Sequence, residues 1–206
     1  MKSNFLIIAA LFFSGIVSGQ KNGNDTIPPG IPTKKQMEAE RKKHDCIHRQ
    51  NKSFTSRLKN YPFTKASQIK LVSFLQKSDK VNGDNQNRFS ELPKLNDTVC
   101  YSKLYEIRTL SITEVDTLTD ILYNIGFRGP VLRESEMGCY EPRNAILFID
   151  KNGQTFEYIE ICFECEKTTV SSDKIIIGDI CNQKFSLIKK FFQKTGIMHG
   201  TTEENN

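Results

Sequence analysis

Three cysteines, Cys139, Cys162 and Cys165, are the residues of this chain whose types and spacing best suit chemistry. Two apolar runs, joined by Asp150-Lys151-Asn152-Gly153, separate the first cysteine from the other two. Apolar runs on either side of an Asn-Gly pair are typical of a β-hairpin, and this hairpin would bring the three sulfur atoms together. Sulfur atoms in such a group can form a disulfide, bind a metal ion or exchange with other thiols.

The register of the hairpin decides which residue faces Cys165. If residues 151–153 form a three-residue loop with a left-handed glycine, Cys139 faces Cys165. Directly opposed Cα atoms are ~4.5–5.5 Å apart, which falls within the ~4.4–6.8 Å that a disulfide requires. If the Asn-Gly pair alone forms a two-residue turn, Cys165 faces Tyr140 and the disulfide needs a bulge. Both registers remain open.

The spacing Cys162-Phe163-Glu164-Cys165 resembles a redox or metal motif. In an extended strand, however, residues three apart point to opposite faces and lie ~10 Å apart, so the two cysteines cooperate only if the strand ends between them. A thioredoxin-type site also needs a helix directly after its first cysteine, and no helix is expected before Asp179. We therefore expect a structural disulfide, Cys139–Cys165, or buried thiols. A redox-active or zinc- or copper-binding site built from Cys139, Cys162 and Cys165 is the alternative.

Arg143 follows the first cysteine and precedes an apolar run, with three carboxylates at hand in Glu141, Glu160 and Glu164. We expect a partly buried salt bridge that fixes the hairpin. An anion-binding arginine beside the cysteines is the sharper hypothesis. An enzyme that uses these carboxylates is a third hypothesis, which we do not favour, because the spacing of the carboxylates is that of ordinary strand charges.

This region resembles a family of exported bacterial proteins, of the Bacteroidetes type, to which no activity is assigned. The resemblance rests on the segment Cys139–Arg143, an apolar strand, the Asp-x-x-Gly turn and the segment Ile161–Cys165, and it covers about residues 99–198. In that family the position after the arginine is often histidine, whereas here it is Asn144. The departure weakens any metal site through this position. The resemblance implies export but no reaction.

The first residues have the layout of a secretory signal. Residues 1–4 carry a lysine, residues 5–17 are almost entirely apolar, and residues 17–19 offer small or modest side chains before a cut at Gln20. Such a run is too short for a comfortable bilayer span of ~20 residues. We therefore expect a signal peptide at 1–19 and a secreted or periplasmic mature chain without a transmembrane segment. An uncleaved N-terminal anchor is the alternative.

Export would also decide the state of the sulfur atoms, because disulfides persist in secreted and periplasmic proteins. No cysteine lies in the expected signal peptide, so the mature chain keeps all six: Cys46, Cys100, Cys139, Cys162, Cys165 and Cys181. Their even number fits full pairing but does not require it. The sequence alone cannot choose among the possible pairings.

The positive charge of the chain belongs to its N-terminal part. Residues 1–60 hold 11 Lys/Arg against 4 Asp/Glu, whereas the remainder holds 18 against 20, for a net charge of +5. We expect residues 20–60 to form a basic, partly disordered tether with one solvated helix from Lys34 to about Arg49. Phe54 is the only aromatic residue of this segment. Few side chains are therefore available to stack on nucleic-acid bases, and no nucleic-acid partner is expected.

Two histidines, His44 and His48, would share a face of that helix and could bind a metal ion together. The sequence offers no obvious third ligand, so we expect a solvated polar face instead.

Residues 61–198 are expected to form a single α+β domain, followed by a loose tail at 199–206. Strands are predicted at Gln68–Leu75, Leu104–Leu110, Asn144–Asp150, Gln154–Cys165 and Lys174–Ile177. One amphipathic helix follows Ser111, which forms a capping box with Glu114, and ends at Gly126; the second runs from Asp179 to Gly196. The predicted architecture is an antiparallel β-meander, the long hairpin plus a third strand, packed by two amphipathic helices.

The leading functional hypothesis is a disulfide-stabilised binding or interaction protein of the cell envelope. No ordinary catalytic set is present, since the three histidines lie outside the expected globular centre. No cofactor is expected, and the partner is an envelope or extracellular molecule of unknown identity.

Overall fold

The computed structural model describes residues 32–77, 88–129 and 139–202. The chain divides into two units, Met1–Thr33 and Lys34–Asn206, and all described helices and strands lie in the second. The expected signal peptide at 1–19 lies outside the described residues. No helix among those described is both long enough and apolar enough to cross a bilayer.

Four α-helices and one short 3₁₀ helix at Tyr101–Lys103 are described. The α-helices are α1 Lys34–Lys43, α2 Phe54–Arg57, α3 Ile112–Tyr123 and α4 Lys184–Lys194. The strands are β1 Cys46–His48, β2 Gln68–Ser73, β3 Leu75–Gln76, β4 Arg88–Phe89, β5 Lys94–Leu95, β6 Thr98–Val99, β7 Glu106–Thr109, β8 Ile125–Phe127, β9 Asn144–Ile149, β10 Thr155–Cys162 and β11 Lys167–Val170.

Five strands form one antiparallel sheet in the order β11-β10-β9-β2-β7. Strand β9 lies at its centre, and all six of its residues are buried. A run that is apolar on both alternating faces needs cover on both sides of the sheet. The predicted α+β class is confirmed, with β2 and β7 joining the hairpin strands in the same sheet.

The two amphipathic helices α3 and α4 cover one face. Their buried residues join those of the sheet in the larger core, where Leu118 and Phe192 are fully buried against Leu71 and Phe148. The predicted capping box at the start of α3 is present: the Ser111 backbone N–H donates to Glu114 Oε2 at 2.7 Å. Gly126, predicted to end this helix in a left-handed conformation, instead lies in β8, because α3 ends at Tyr123.

The opposite face carries a second, smaller core that the sequence did not predict. Residues 88–104 run across this face, and Leu92 and Val99 pack against Val72, Phe74 and Leu147. Because this segment covers the second face of the sheet, β2 and β9 carry buried apolar side chains on both of their faces.

Lys184 joins the two helices from inside the core. Its side chain is fully buried, and Nζ donates to the carbonyl oxygens of Ile121 at 2.5 Å, Ile125 at 2.7 Å and Leu122 at 3.1 Å. The carbonyls of Ile121 and Leu122 belong to the last turn of α3, and Ile125 begins β8 directly after it. At such a helix end, unpaired carbonyls and the helix dipole favour a cation. Burial lowers the pKa of Lys184 to about 8. The ammonium is therefore still largely charged at pH 7.

The third strand of the meander is not at Lys174–Ile177, as predicted, but at β11, Lys167–Val170. Strand β10 ends at Cys162, and the four residues 163–166 turn the chain so that Cys162 faces Lys167. Helix α4 also begins later than the predicted Asp179, because residues 175–180 run without regular structure towards Lys184.

The helix predicted from Lys34 to Arg49 ends at Lys43. Cys46–His48 is a strand that pairs antiparallel with β8, and the backbone N–H of Arg49 donates to Asn124 O at 2.8 Å. Residues 46–60 therefore pack on the rest of the unit and do not form a tether.

That change also separates His44 and His48, which lie in a turn and in β1 and do not share a helix face. His48 Nε2 lies 3.2 Å from Asp120 Oδ2.

The tail predicted to be loose from residue 199 is packed as far as Thr201, which is fully buried. Glu106 accepts the backbone N–H groups of Met198 and His199 at 3.1 and 3.0 Å, and Asn144 Nδ2 donates to His199 O at 2.9 Å. The last four residues, 203–206, lie outside the described part of the chain.

Candidate functional site

The turn of the hairpin follows the three-residue register. The backbone N–H of Asp150 donates to Gln154 O at 2.9 Å, and Gly153 is left-handed with φ 81°. A bulge between Thr155 and Glu157 then shifts the register by one residue along the rest of the hairpin. Each of the two registers that the sequence left open therefore describes part of the hairpin.

Cys139 and Cys165 form a disulfide with their Cα atoms 5.8 Å apart, as the leading hypothesis expected. Cys139 is exposed and Cys165 is half-buried. They meet because β10 stops at Cys162 and the following turn carries Cys165 back across the end of the hairpin. A strand that continued to residue 165, as predicted, would have placed Tyr140 opposite Cys165 in the shifted register.

Cys162 is a free thiol close to Cys165, one of the two residues of this disulfide. It ends β10, it is only 1% exposed, and its Sγ accepts the backbone N–H of Cys165 at 3.2 Å. Strand β10 therefore ends between Cys162 and Cys165, which is the condition under which these two cysteines can act together. All three cysteines singled out from the sequence lie in one group.

A phenylalanine holds the turn in place. Phe163 is 7% exposed and packs edge-to-face on Phe192 of α4, with ring centroids 5.4 Å apart. At the other end of the turn Glu166 takes a left-handed conformation with φ 48°, which non-glycine residues adopt uncommonly. The turn is thus anchored in the larger core, whereas Cys162 lies on the other face of β10 from Ile161, which belongs to that core.

Glu160 lies two residues before Cys162 and therefore on the same face of β10. Glu160 is 4% exposed, and its carboxylate accepts the backbone N–H of Leu92 and, at 3.3 Å, the hydroxyl of Tyr140. Burial raises the pKa of Glu160 above its usual value and also raises the pKa of Tyr140. The interior next to the cysteines is therefore polar but shielded from water.

Arg143 forms the salt bridges expected of it. Its Nη1 lies 3.1 Å from Glu164 Oε2 and its Nη2 lies 3.9 Å from Glu141 Oε2. The arginine side chain is 12% exposed, whereas the two glutamates are at least half exposed. The third expected partner, Glu160, instead bonds to Leu92 and Tyr140. Arg143 thus ties the cysteine turn to the start of β9.

A second disulfide, Cys46–Cys181, was not predicted from the sequence. Its Cα atoms are 5.1 Å apart and its residues are separated by 135 positions. Hydrogen bonds surround it: the Cys46 backbone N–H donates to Gln183 Oε1 at 2.7 Å, and the Asn182 backbone N–H donates to His44 O at 2.9 Å. This disulfide joins β1 to the segment that leads into α4.

The two remaining cysteines in the described part of the chain are Cys100 and Cys162. Cys100 is half-buried, with its Sγ 3.4 Å from Ser102 Oγ. Among the described residues, no group of three or more His, Cys, Asp or Glu side chains is arranged to hold a metal ion.

The chain matches no protein-family model, no curated protein and no solved structure.

Proposed function

We propose that this protein is an exported domain, cross-linked by disulfides, that acts in the cell envelope or outside the cell by binding a partner protein. The observation that carries the proposal is the Cys46–Cys181 disulfide, since cross-links of this kind persist in oxidising compartments and are rare in the cytosol. The signal-like residues 1–19 and the resemblance to exported bacterial proteins support the same location.

The position of that disulfide suits a structural cross-link. It joins two segments that are distant in sequence, and the neighbouring ion pair Arg49–Asp179, at 2.8 Å, holds the same two segments. Cys181 is 2% exposed, so reductants and other thiols reach its sulfur atom poorly. These features support a structural role for the Cys46–Cys181 disulfide and not a role in thiol–disulfide exchange.

The binding surface that we propose is the open edge of β7. Strand β7 pairs with β2 on one side, and no described strand pairs with its other side. Three large apolar side chains near this edge are exposed: Tyr105 by 56%, Met198 by 47% and Ile107 by 38%. The ring of Tyr105 lies 5.1 Å from that of His199, which follows Met198.

Unpaired backbone groups beside exposed apolar side chains are the two features that an added strand recognises. We therefore propose that the partner contributes an extended segment with apolar side chains at alternate positions. Backbone hydrogen bonds to β7 would provide the affinity, and contacts with Tyr105 and Ile107 would provide the selectivity.

Site-specific photo-cross-linking in producing cells tests this proposal. A photoreactive amino acid at position 107 should give a cross-linked protein of defined mass in the envelope or extracellular fraction. The same amino acid at position 151, at the exposed tip of the β9–β10 turn, is the matched control and should give none. Equal products from both positions, no product from position 107, or a chain retained in the cytosol with residues 1–19 attached would contradict the proposal.

A further inference from the structure

A free thiol, Cys162, lies close to one residue of the Cys139–Cys165 disulfide, and among the described cysteines this sets that disulfide apart from Cys46–Cys181. The Cys165 backbone N–H donates to Cys162 Sγ at 3.2 Å, which holds the buried sulfur close to the residue that carries the disulfide. Thiols and disulfides that lie in contact exchange when the thiolate attacks one of the two bonded sulfur atoms.

The turn geometry also suits a bond between Cys162 and Cys165. Residues 163–166 form a four-residue hairpin loop, because Cys162 faces Lys167. Such loops are mostly built around a type I turn, in which the first and fourth Cα atoms lie within ~7 Å. A disulfide requires ~4.4–6.8 Å. In such a turn starting at Cys162, Cys165 is the fourth residue, and its backbone N–H already donates to Cys162 Sγ at 3.2 Å. The new bond therefore needs rotation of side chains and not movement of strands.

We propose that Cys139, Cys162 and Cys165 form an internal thiol–disulfide exchange site, in which Cys162 takes Cys165 from Cys139. The Cys162 thiol gives up its proton as its thiolate attacks Cys165 Sγ. The Cys162–Cys165 bond forms as the Cys139–Cys165 bond breaks, and the electron pair leaves on Cys139, which takes up a proton. One disulfide and one thiol are present before and after, so the step needs no oxidant.

The exchange moves the free thiol from the interior to the surface. Before it, the thiol belongs to Cys162, which is 1% exposed; after it, the thiol belongs to Cys139, which is exposed. A thiol at position 139 can attack a disulfide of another molecule and form a mixed disulfide with it, releasing one thiolate. This activity goes beyond binding at β7, and it does not involve Cys46–Cys181.

Alkylation of the oxidised mature protein tests the exchange. The native protein is incubated with N-ethylmaleimide at pH 7 and pH 8.5, and its peptides are mapped without reduction. We expect label on Cys139 together with a Cys162–Cys165 disulfide. Label should accumulate faster at pH 8.5 than at pH 7, because the thiolate, and not the thiol, is the attacking species in the exchange and in the alkylation. Cys100, which is outside the site, reports reagent access in the same sample.

The Cys162→Ala variant is the matched control. It should keep the Cys139–Cys165 and Cys46–Cys181 disulfides, show unchanged labelling of Cys100, and lose the label on Cys139. Equal labelling of Cys139 in this variant and in the wild type would overturn the proposal. Labelling of Cys162 itself in the wild type, or no label on either residue after Cys100 is fully labelled, would do the same.

A second variant tests the new bond directly. Cys139→Ala, treated with oxidised glutathione as the oxidant, should form a Cys162–Cys165 disulfide and release two molecules of reduced glutathione. Failure to form this bond in a protein that still melts cooperatively would show that the turn cannot close it, and the proposal would be wrong.

Discussion

Replacing Cys46 and Cys181 together by alanine removes the cross-link between β1 and the segment before α4. The two residues are 135 positions apart, and the Cys139–Cys165 bridge, with a separation of 26, lies inside that loop. The unfolded variant therefore gains the freedom of a loop of roughly 110 residues. In the chain-entropy model this lowers the free energy of unfolding by about 5 kcal/mol.

The expected loss is large compared with the total stability of a domain, which is about 5–15 kcal/mol. For a unit of this size each kcal/mol changes Tm by about 2–4 °C, so the double variant should melt about 10–20 °C below the wild type. Differential scanning calorimetry without reductant measures this change. Substituting both residues avoids a leftover thiol that could pair wrongly with Cys100 or Cys162.

The matched control is Cys100→Ala, which removes a half-buried sulfur that is in no disulfide. Its Tm should stay within a few degrees of the wild type. A double variant that melts within about 2 °C of the wild type would refute the reasoning, because the constraint on the unfolded chain would then be missing.

Three further substitutions test the core, the buried carboxylate and one close backbone contact. Lys184→Met removes the donor to three carbonyl oxygens in and just after the last turn of α3 and should lower the free energy of unfolding by about 3 kcal/mol in urea titrations; an unchanged midpoint would contradict this role. Burial raises the pKa of Glu160 above 4.5, so the native state keeps a proton that the unfolded chain has lost, and stability falls as pH rises through that window. Glu160→Gln should flatten this fall when Tm is measured across pH 4–8. A variant whose Tm changes with pH as that of the wild type does would contradict the role of Glu160. Gly178→Ala should cost more than about 2 kcal/mol, because Gly178 has φ +74° and its Cβ would lie 2.3 Å from Leu122 O; a fully stable variant would show that this contact is absent.

The parts of the fold that the sequence predicted well depend on local signals. The hairpin turn at residues 151–153, the Ser111 capping box and the apolar stripe of α3 each lie within a few neighbouring residues, and each is present. The smaller core could not be predicted in this way. It forms when residues 88–104 cross the sheet, and no local periodicity reports that contact.

The error at the third strand has a clear physical origin. Residues 163–166, Phe-Glu-Cys-Glu, contain no glycine, proline, asparagine or aspartate that would mark a turn. The turn forms because Phe163 is buried against Phe192 and because Glu166 accepts a left-handed conformation. Tertiary packing, and not turn chemistry, ends β10 at Cys162.

The candidate site was predicted in part for the same reasons. The sequence identified Cys139, Cys162 and Cys165 and left the register open, and the structure uses a three-residue loop followed by a bulge. The disulfide partner of Cys46 could not be predicted, because the sequence around Cys46 predicted a solvated helix. That residue instead lies in β1, a strand that exists only through its pairing with β8.

Peptide mapping without reduction, on the mature chain recovered from producing cells, tests the central claim most directly. The account predicts a chain that lacks residues 1–19, a Cys46–Cys181 linkage, and Cys165 linked to Cys139 or to Cys162. A chain that retains Met1 with all six cysteines as free thiols would contradict it, and so would a Cys46 linked to any residue other than Cys181.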